Sequence, residues 1–387
     1  LTHPQTIRRE HHVAAEAIIQ KIWAQYLDKE RFLALAALDV DSISRLTRDQ
    51  ALGLDTERYD FADASISEFF PKNEGSKKLM EMGGDLKILS VASMSKTQLA
   101  VFLDGAKCLT NAWVRSLRPN KYSPLGYRVQ DVDTILADFA ESWELDVKEQ
   151  DSSHGIVHVL VFTKFMEMVA RRRGYTEAVL EIRSCRTLRD MERIAEFTMG
   201  SGLGSGDAWT LIANSIMMVS VILSRYDIPA HVKMLQVGDD TTCDEELPPC
   251  PVLLGSERVT LTHARADAAD GRPSFTSRVH IGNGVMIQKR LRFMTRVLTT
   301  KRTAAVHQSF KFSWRDWAVG LSKIGIPAYA EAHAALHGSD ADVVERMIVG
   351  VIRILATPFN ELPETLRDET VPSVRIYSRT TGCFGFA

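Results

Sequence analysis

The run His231-Val-Lys-Met-Leu-Gln-Val237 is rich in strand-forming residues, stops at Gly238, and meets Asp239 and Asp240. Glycine followed by two acids at the end of a strand pattern reads as a tight hairpin turn. Glycine reaches the backbone angles that such a turn requires, and the two carboxylates stay in water. Such a turn would project both carboxylates at one edge of a sheet. Two further strings stand upstream in order. Trp143-Glu-Leu-Asp-Val147 reads as a short strand carrying Asp146, with Asp151 closing a D-x4-D spacing. Gly200-Ser-Gly-Leu-Gly-Ser-Gly-Asp207 has glycine at every second position and enters a long apolar stretch ending near Arg225. That stretch predicts a buried helix, with Asp207 as its cap or in its first turn. Thr210 and Asn214, four apart, share one face of it.

Each string alone is cheap. A Gly-Asp-Asp triplet arises by chance in roughly a few per cent of chains this long, and an isolated one is most simply an acidic surface turn. The glycine-rich loop lacks G-x-G-x-x-G and has no closing Gly-Lys-Ser/Thr, which removes the dinucleotide and P-loop readings. Carboxylates from distant strands gathered at one sheet edge suit a different chemistry. Displacement at phosphorus develops negative charge on the attacking and leaving oxygens, and two divalent cations about 3.5–4 Å apart can stabilise both. Mg²⁺ favours a few carboxylates plus substrate oxygens and water over a closed protein cage.

In this order the three strings resemble palm motifs A, B and C of viral RNA-dependent RNA polymerases, most closely those of the alphavirus-like superfamily of positive-strand RNA viruses. The resemblance is specific over about residues 141–300, diffuse before that, and absent after Arg315. It implies an α+β fold of right-hand polymerase type. Residues 1–140 would form part of the fingers, 141–282 a palm with an antiparallel sheet, motifs A to D and the start of motif E, and 283–387 a helical thumb. Asp146, Asp239 and Asp240 would be the catalytic, metal-binding residues, holding two ions of Mg²⁺ or Mn²⁺. Ser205, Gly206, Thr210, Asn214 and Asp151 would meet the incoming nucleotide, with Asp151 and Asn214 at the ribose 2′-hydroxyl. Lys96, in Lys96-Thr-Gln98, loosely resembles a finger-motif lysine that contacts triphosphate, and Lys87 is a second candidate.

Between Gly271 and Arg315 the chain has no Asp or Glu but carries Arg272, Arg278, Lys289, Arg290, Arg292, Arg296, Lys301, Arg302, Lys311 and Arg315. In a chain of formal net charge -2, a local one-signed tract of this kind is the expected footprint of a phosphate backbone. Arg278, Lys289, Arg290, Arg292 and Arg296 are the expected RNA-binding residues. Phe275-Thr-Ser-Arg278 within the tract resembles motif E, which supports the 3′ end. One departure concerns the proton donor to pyrophosphate. The family places a lysine between motifs C and E, but no lysine occurs from Asp239 to Gln288. Arg265, a candidate nucleotide-binding residue, falls near that place and can neutralise pyrophosphate charge, although arginine is a poor acid. His263 suits proton transfer better.

With 387 residues, 45% of them hydrophobic, the chain can bury a large core and form subdomains. Five cysteines without C-x2-C point to neither a disulfide framework nor a zinc ribbon. The four-apart pairs His154/His158 and His333/His337 read as ordinary helix residues, since no third ligand accompanies either. No signal peptide or transmembrane segment is expected. A first residue of Leu instead of Met reads as a sign of excision from a longer polypeptide.

The expected activity is template-directed transfer of nucleoside monophosphates to an RNA 3′ end. Template and product RNA, nucleoside triphosphates and, by resemblance, helicase and capping domains of a replicase would be its partners. The resemblance also implies the host cytoplasm, in membrane-associated replication complexes. One alternative is a reverse transcriptase or other templated polymerase. Against the former, Asp151 stands where those enzymes carry a bulky aromatic, and Val237-Gly238 precedes the acid pair. The other alternative is a palm-fold RNA-binding scaffold without catalysis.

Overall fold

The structure is a computed structural model that describes residues 6–37, 66–71, 90–94, 96–126, 129–139, 141–148, 153, 155–170, 174–190, 196–199, 203, 207–250, 259–265, 272–276, 278–288 and 291–368. Helices and sheets are both abundant, and the sheets contain parallel as well as antiparallel pairs. The chain divides into two compact units. One comprises residues 1–126, 145–241 and 246–263; the other comprises 127–144, 242–245 and 264–387.

The first unit contains helices α1 (Arg9–Gln25), α2 (Lys29–Ala36) and α3 (Lys96–Arg115). Helix α4 (Val129–Ala137) belongs to the second unit. The first unit then continues with α5 (Ile156–Val169), α6 (Tyr175–Ser184) and α7 (Thr210–Arg225). Helices α5 and α7 are apolar on nearly every face, and such a helix has no stripe to show to solvent. Both are accordingly buried along most of their length. Their neighbours supply a ring lattice: Trp23 meets Phe165 with centroids 5.0 Å apart, and Trp209 meets Phe102 at 5.1 Å. Offset and edge-on contacts of this kind add to the apolar area removed from water.

Strands β1 (Ile66–Pro71), β2 (Ser90–Ser93), β5 (Arg186–Asp190) and β6 (Glu196–Met199) form one sheet in the order β2-β1-β5-β6. A second sheet has the order β3-β7-β8-β4-β9, from β3 (Lys121–Tyr122), β4 (Trp143–Val147), β7 (Met234–Val237), β8 (Asp240–Cys243) and β9 (Leu261–Arg265). This sheet is mixed, because β3, which precedes the expected palm residues 141–282, pairs with β7 in parallel. The helices between those strands provide the long crossover that a parallel pair requires.

In the second unit, β10 (Ser274–Phe275), β11 (Arg278–His280) and β12 (Met286–Gln288) make an antiparallel sheet. Four helices follow: α8 (Arg292–Thr299), α9 (Ala304–Ile324), α10 (Ile326–His337) and α11 (Ala341–Ala356). Their shared core includes Met294, Val297, Trp317, Tyr329, Val344 and Ile348. Asp340 caps α11 by accepting the backbone N–H of Asp342 at 2.8 Å. Among the described residues, no helix is long and apolar enough to cross a membrane.

Candidate active site

Strand β4, which carries Asp146, is the sheet neighbour of β8, which opens with Asp240. Just before β4, the hydroxyl of Ser142 lies 2.7 Å from that of Thr242 in β8. Within β8, alternation puts Asp240, two residues before Thr242, on the same side of the strand as that hydroxyl. Asp146, Asp239 and Asp240 are all exposed, whereas Leu145, Val147 and Thr241 are buried.

The turn is held from helix α7. Gly238 has φ +59, in the left-handed region that favours glycine, and a Cβ there would come 3.3 Å from Leu211 Cδ1. Its N–H donates to Ser215 Oγ at 2.8 Å, and the Ser215 hydroxyl donates to the Leu211 carbonyl at 2.9 Å. On the other side, the Gln236 amide donates to the Gly238 carbonyl at 2.9 Å. Leu211 and Ser215 sit one residue beyond Thr210 and Asn214. The helix bearing the expected ribose-contacting residues is thus the helix locked to the Gly-Asp-Asp turn.

Asp207 departs from its expected place. It does not cap α7, whose N-cap residue is Trp209 with no side-chain cap. Its carboxylate turns inward to Arg186, accepting from Nη1 at 2.8 Å and Nη2 at 2.6 Å, with both side chains wholly buried. A buried carboxylate demands a paired cation more strongly than a helix terminus can satisfy it. The backbone carbonyl of Asp207 accepts the Thr210 hydroxyl at 2.9 Å.

The donor set suits a hard divalent cation: three exposed carboxylates, on β4 and at the β7–β8 turn, offer oxygen ligands and room for water. Among the described residues, however, no group of three or more His, Cys, Asp or Glu side chains is drawn together as a metal cluster.

His263 on β9 is half-buried and packs edge-on to Tyr226, with ring centroids 4.8 Å apart. Burial lowers its pKa below the usual imidazole value, with the Glu246 carboxylate pulling in the opposite direction. The net shift favours the neutral ring. Arg265, in the second unit, pairs with Glu141 at 2.8 Å while both remain partly exposed.

The basic tract does not behave uniformly. Arg278 is buried and donates from Nη1 to Asp133 Oδ1 at 2.6 Å, so it has a structural ion pair in place of the expected phosphate contact. Arg302 is buried over the Phe310 ring, 5.1 Å from its centroid. Arg296 is exposed, as are Lys301 and Arg315. Lys96 and Arg292 open α3 and α8, but their side chains lie outside the described residues. Asp151, Ser205, Gly206, Lys289, Arg290, Lys87 and His154 also lie outside them.

Reasoning from sequence overlooked Ser215 and Arg186. A serine directly after Asn214 in an otherwise apolar helix, and an arginine opening a strand pattern, were the available signals. No model of a known protein family matches the chain, and no curated protein sequence matches it significantly.

Proposed function

We propose that this chain is a template-directed RNA polymerase of right-hand architecture that joins ribonucleotides with the help of two divalent cations. One observation carries the reading: the strand with Asp146 lies beside the strand that follows Asp239, and that turn is bonded through Ser215 to the helix carrying Thr210 and Asn214. Elements carrying Asp146, Thr210 and Asn214, and the Gly-Asp-Asp turn are thereby neighbours, which supports a reading as nucleotidyl transfer.

Asp146, Asp239 and Asp240 hold the cations, either Mg²⁺ or Mn²⁺. The ions supply stabilisation of the negative charge that develops on the attacking and leaving oxygens. Asn214 and Thr210 sit on the half-exposed face of α7, where an amide and a hydroxyl can orient a ribose and read its 2′-hydroxyl. The exposed cations of the second unit, Arg296 and Lys301 among them, give RNA a sequence-independent hold.

The test is incorporation on a primed RNA template of mixed sequence, with four ribonucleoside triphosphates and Mg²⁺ or Mn²⁺. The expected product is complementary RNA, with deoxyribonucleotides used poorly. Preference for deoxyribonucleotides would favour a reverse transcriptase. RNA binding without incorporation under either metal would leave an inactive scaffold.

A further inference from the structure

We propose that Ser215 is a positioning residue that ties cation binding at the Gly-Asp-Asp turn to sugar recognition by Asn214. The roles of the aspartates and Asn214 in this inference rest on the polymerase reading; the anchoring of the turn rests on geometry alone.

Ser215 is 1% exposed and sits in a helix buried along most of its length. Its hydroxyl does two things at once: it accepts the Gly238 N–H at 2.8 Å and donates to the Leu211 carbonyl at 2.9 Å. The internal donation aims the oxygen lone pair at the turn and fixes the rotamer. Gly238 is gripped on its carbonyl side by Gln236, so both of its backbone polar groups are held. The next residue is Asp239. Its backbone position is therefore set by α7, and Asn214 precedes Ser215 on the same helix. A shift of α7 as Asn214 engages or loses a 2′-hydroxyl moves the Ser215 oxygen, and the carboxylate turn moves with it. Neither Ala nor Val at 215 could hold the Gly238 N–H. That group would be buried without a partner, a costly state that the turn relieves by moving. Threonine keeps the hydroxyl and should keep the coupling.

The experiment uses the full chain in three measurements. With ¹⁵N-glycine labelling, the Gly238 amide should exchange with solvent about 100-fold or more slowly than in an unstructured chain, and Ser215→Ala should remove most of that protection. Mn²⁺ affinity, read from free-ion electron paramagnetic resonance without turnover, should weaken about tenfold in Ser215→Ala. The ribo/deoxy incorporation ratio should fall by a similar factor, and Ser215→Thr should restore both. Wild-type exchange at the unstructured rate would overturn the inference even if the alanine variant does not fold. A folded Ser215→Ala with unchanged Mn²⁺ affinity, or with weakened affinity and unchanged sugar discrimination, would also overturn it. A wild-type chain whose Mn²⁺ affinity responds to Ser215 but which incorporates no nucleotide would sink the polymerase reading while supporting the anchor.

Discussion

Both Nη atoms of Arg186 donate to the carboxylate of Asp207, at 2.8 and 2.6 Å, with neither side chain reaching solvent. The pair fastens strand β5 to the residues that lead into α7. Arg186→Leu takes the guanidinium away from a buried carboxylate and should destabilise the chain by roughly 3–5 kcal/mol. Replacing both partners with leucine removes the two charges together and should recover much of that loss. Urea denaturation of the wild type, the single variant and the double variant checks this. A single variant as stable as wild type would mean that the pair is not closed in solution.

Asp239→Ala should reduce nucleotide incorporation by about 10³-fold or more, because it removes a ligand for the charge that stabilises the reacting oxygens. RNA affinity should stay within about threefold of wild type, since this carboxylate makes no favourable contact with phosphate. Filter binding alongside a single-turnover assay separates the two quantities. Wild-type synthesis by the variant would exclude Asp239 from the site.

Asn214→Ala should lower the preference for ribonucleotides about tenfold, roughly the worth of one hydrogen bond to the sugar. The effect should appear in the ratio of kcat/KM values for ribo and deoxy substrates. An unchanged ratio would remove Asn214 from sugar recognition.

Arg296→Glu should weaken RNA binding and make its salt dependence shallower by about one in the log–log slope, as expected for one lost phosphate contact. Arg278→Leu should act differently. It takes the guanidinium away from buried Asp133, so the loss appears first in thermal stability. An equal change of salt slope in both variants would contradict that distinction.

Acid should destabilise the fold before the carboxylates titrate. Burial, then the neighbouring charges of Arg183 and Arg225, lower the pKa of His158 to about 4. Its Nδ1 accepts the Gly155 N–H at 3.3 Å, a bond open only to the unprotonated ring. Unfolded histidine takes up a proton near pH 6.5, so protonation favours the unfolded chain as pH falls from about 6.5 to 4. The loss from His158 alone should reach roughly 3 kcal/mol at the acid end of that window. His263, His280 and His307, all lowered first by burial, act in the same direction. His158→Gln should flatten the slope of stability against pH. Stability that rises on acidification through this window would contradict the assignment.

Much of the local structure was legible in the chain. Trp143–Val147 is a strand, Ala341–Ala356 is a helix, and the Gly238 turn follows its strand, because alternation, 3.6-residue periodicity and glycine each leave a local mark. The start of α7 was not legible. Asp207 looks like a helix cap when only its neighbours in sequence are considered, but Arg186 competes for it from 21 residues away. Arg278 misled for the same reason: a basic tract shows charge, whereas Asp133, 145 residues distant, decides whether that charge faces water. The parallel β3–β7 pair also depends on a long connection that no short window contains. At the candidate site the carboxylates could be named from sequence, whereas the Ser215 anchor and the β4–β8 adjacency required the fold.

Iron-directed cleavage reports most directly on whether the carboxylates of β4 and the β7–β8 turn share a cation. The full chain is loaded with Fe²⁺ in place of Mg²⁺, and local radical chemistry is started with ascorbate and peroxide. The backbone should be cut near residue 146 and near residue 239 together, both cuts suppressed by excess Mg²⁺ and by Asp239→Ala. Cleavage near only one of the two, or at neither, would contradict a shared ion site.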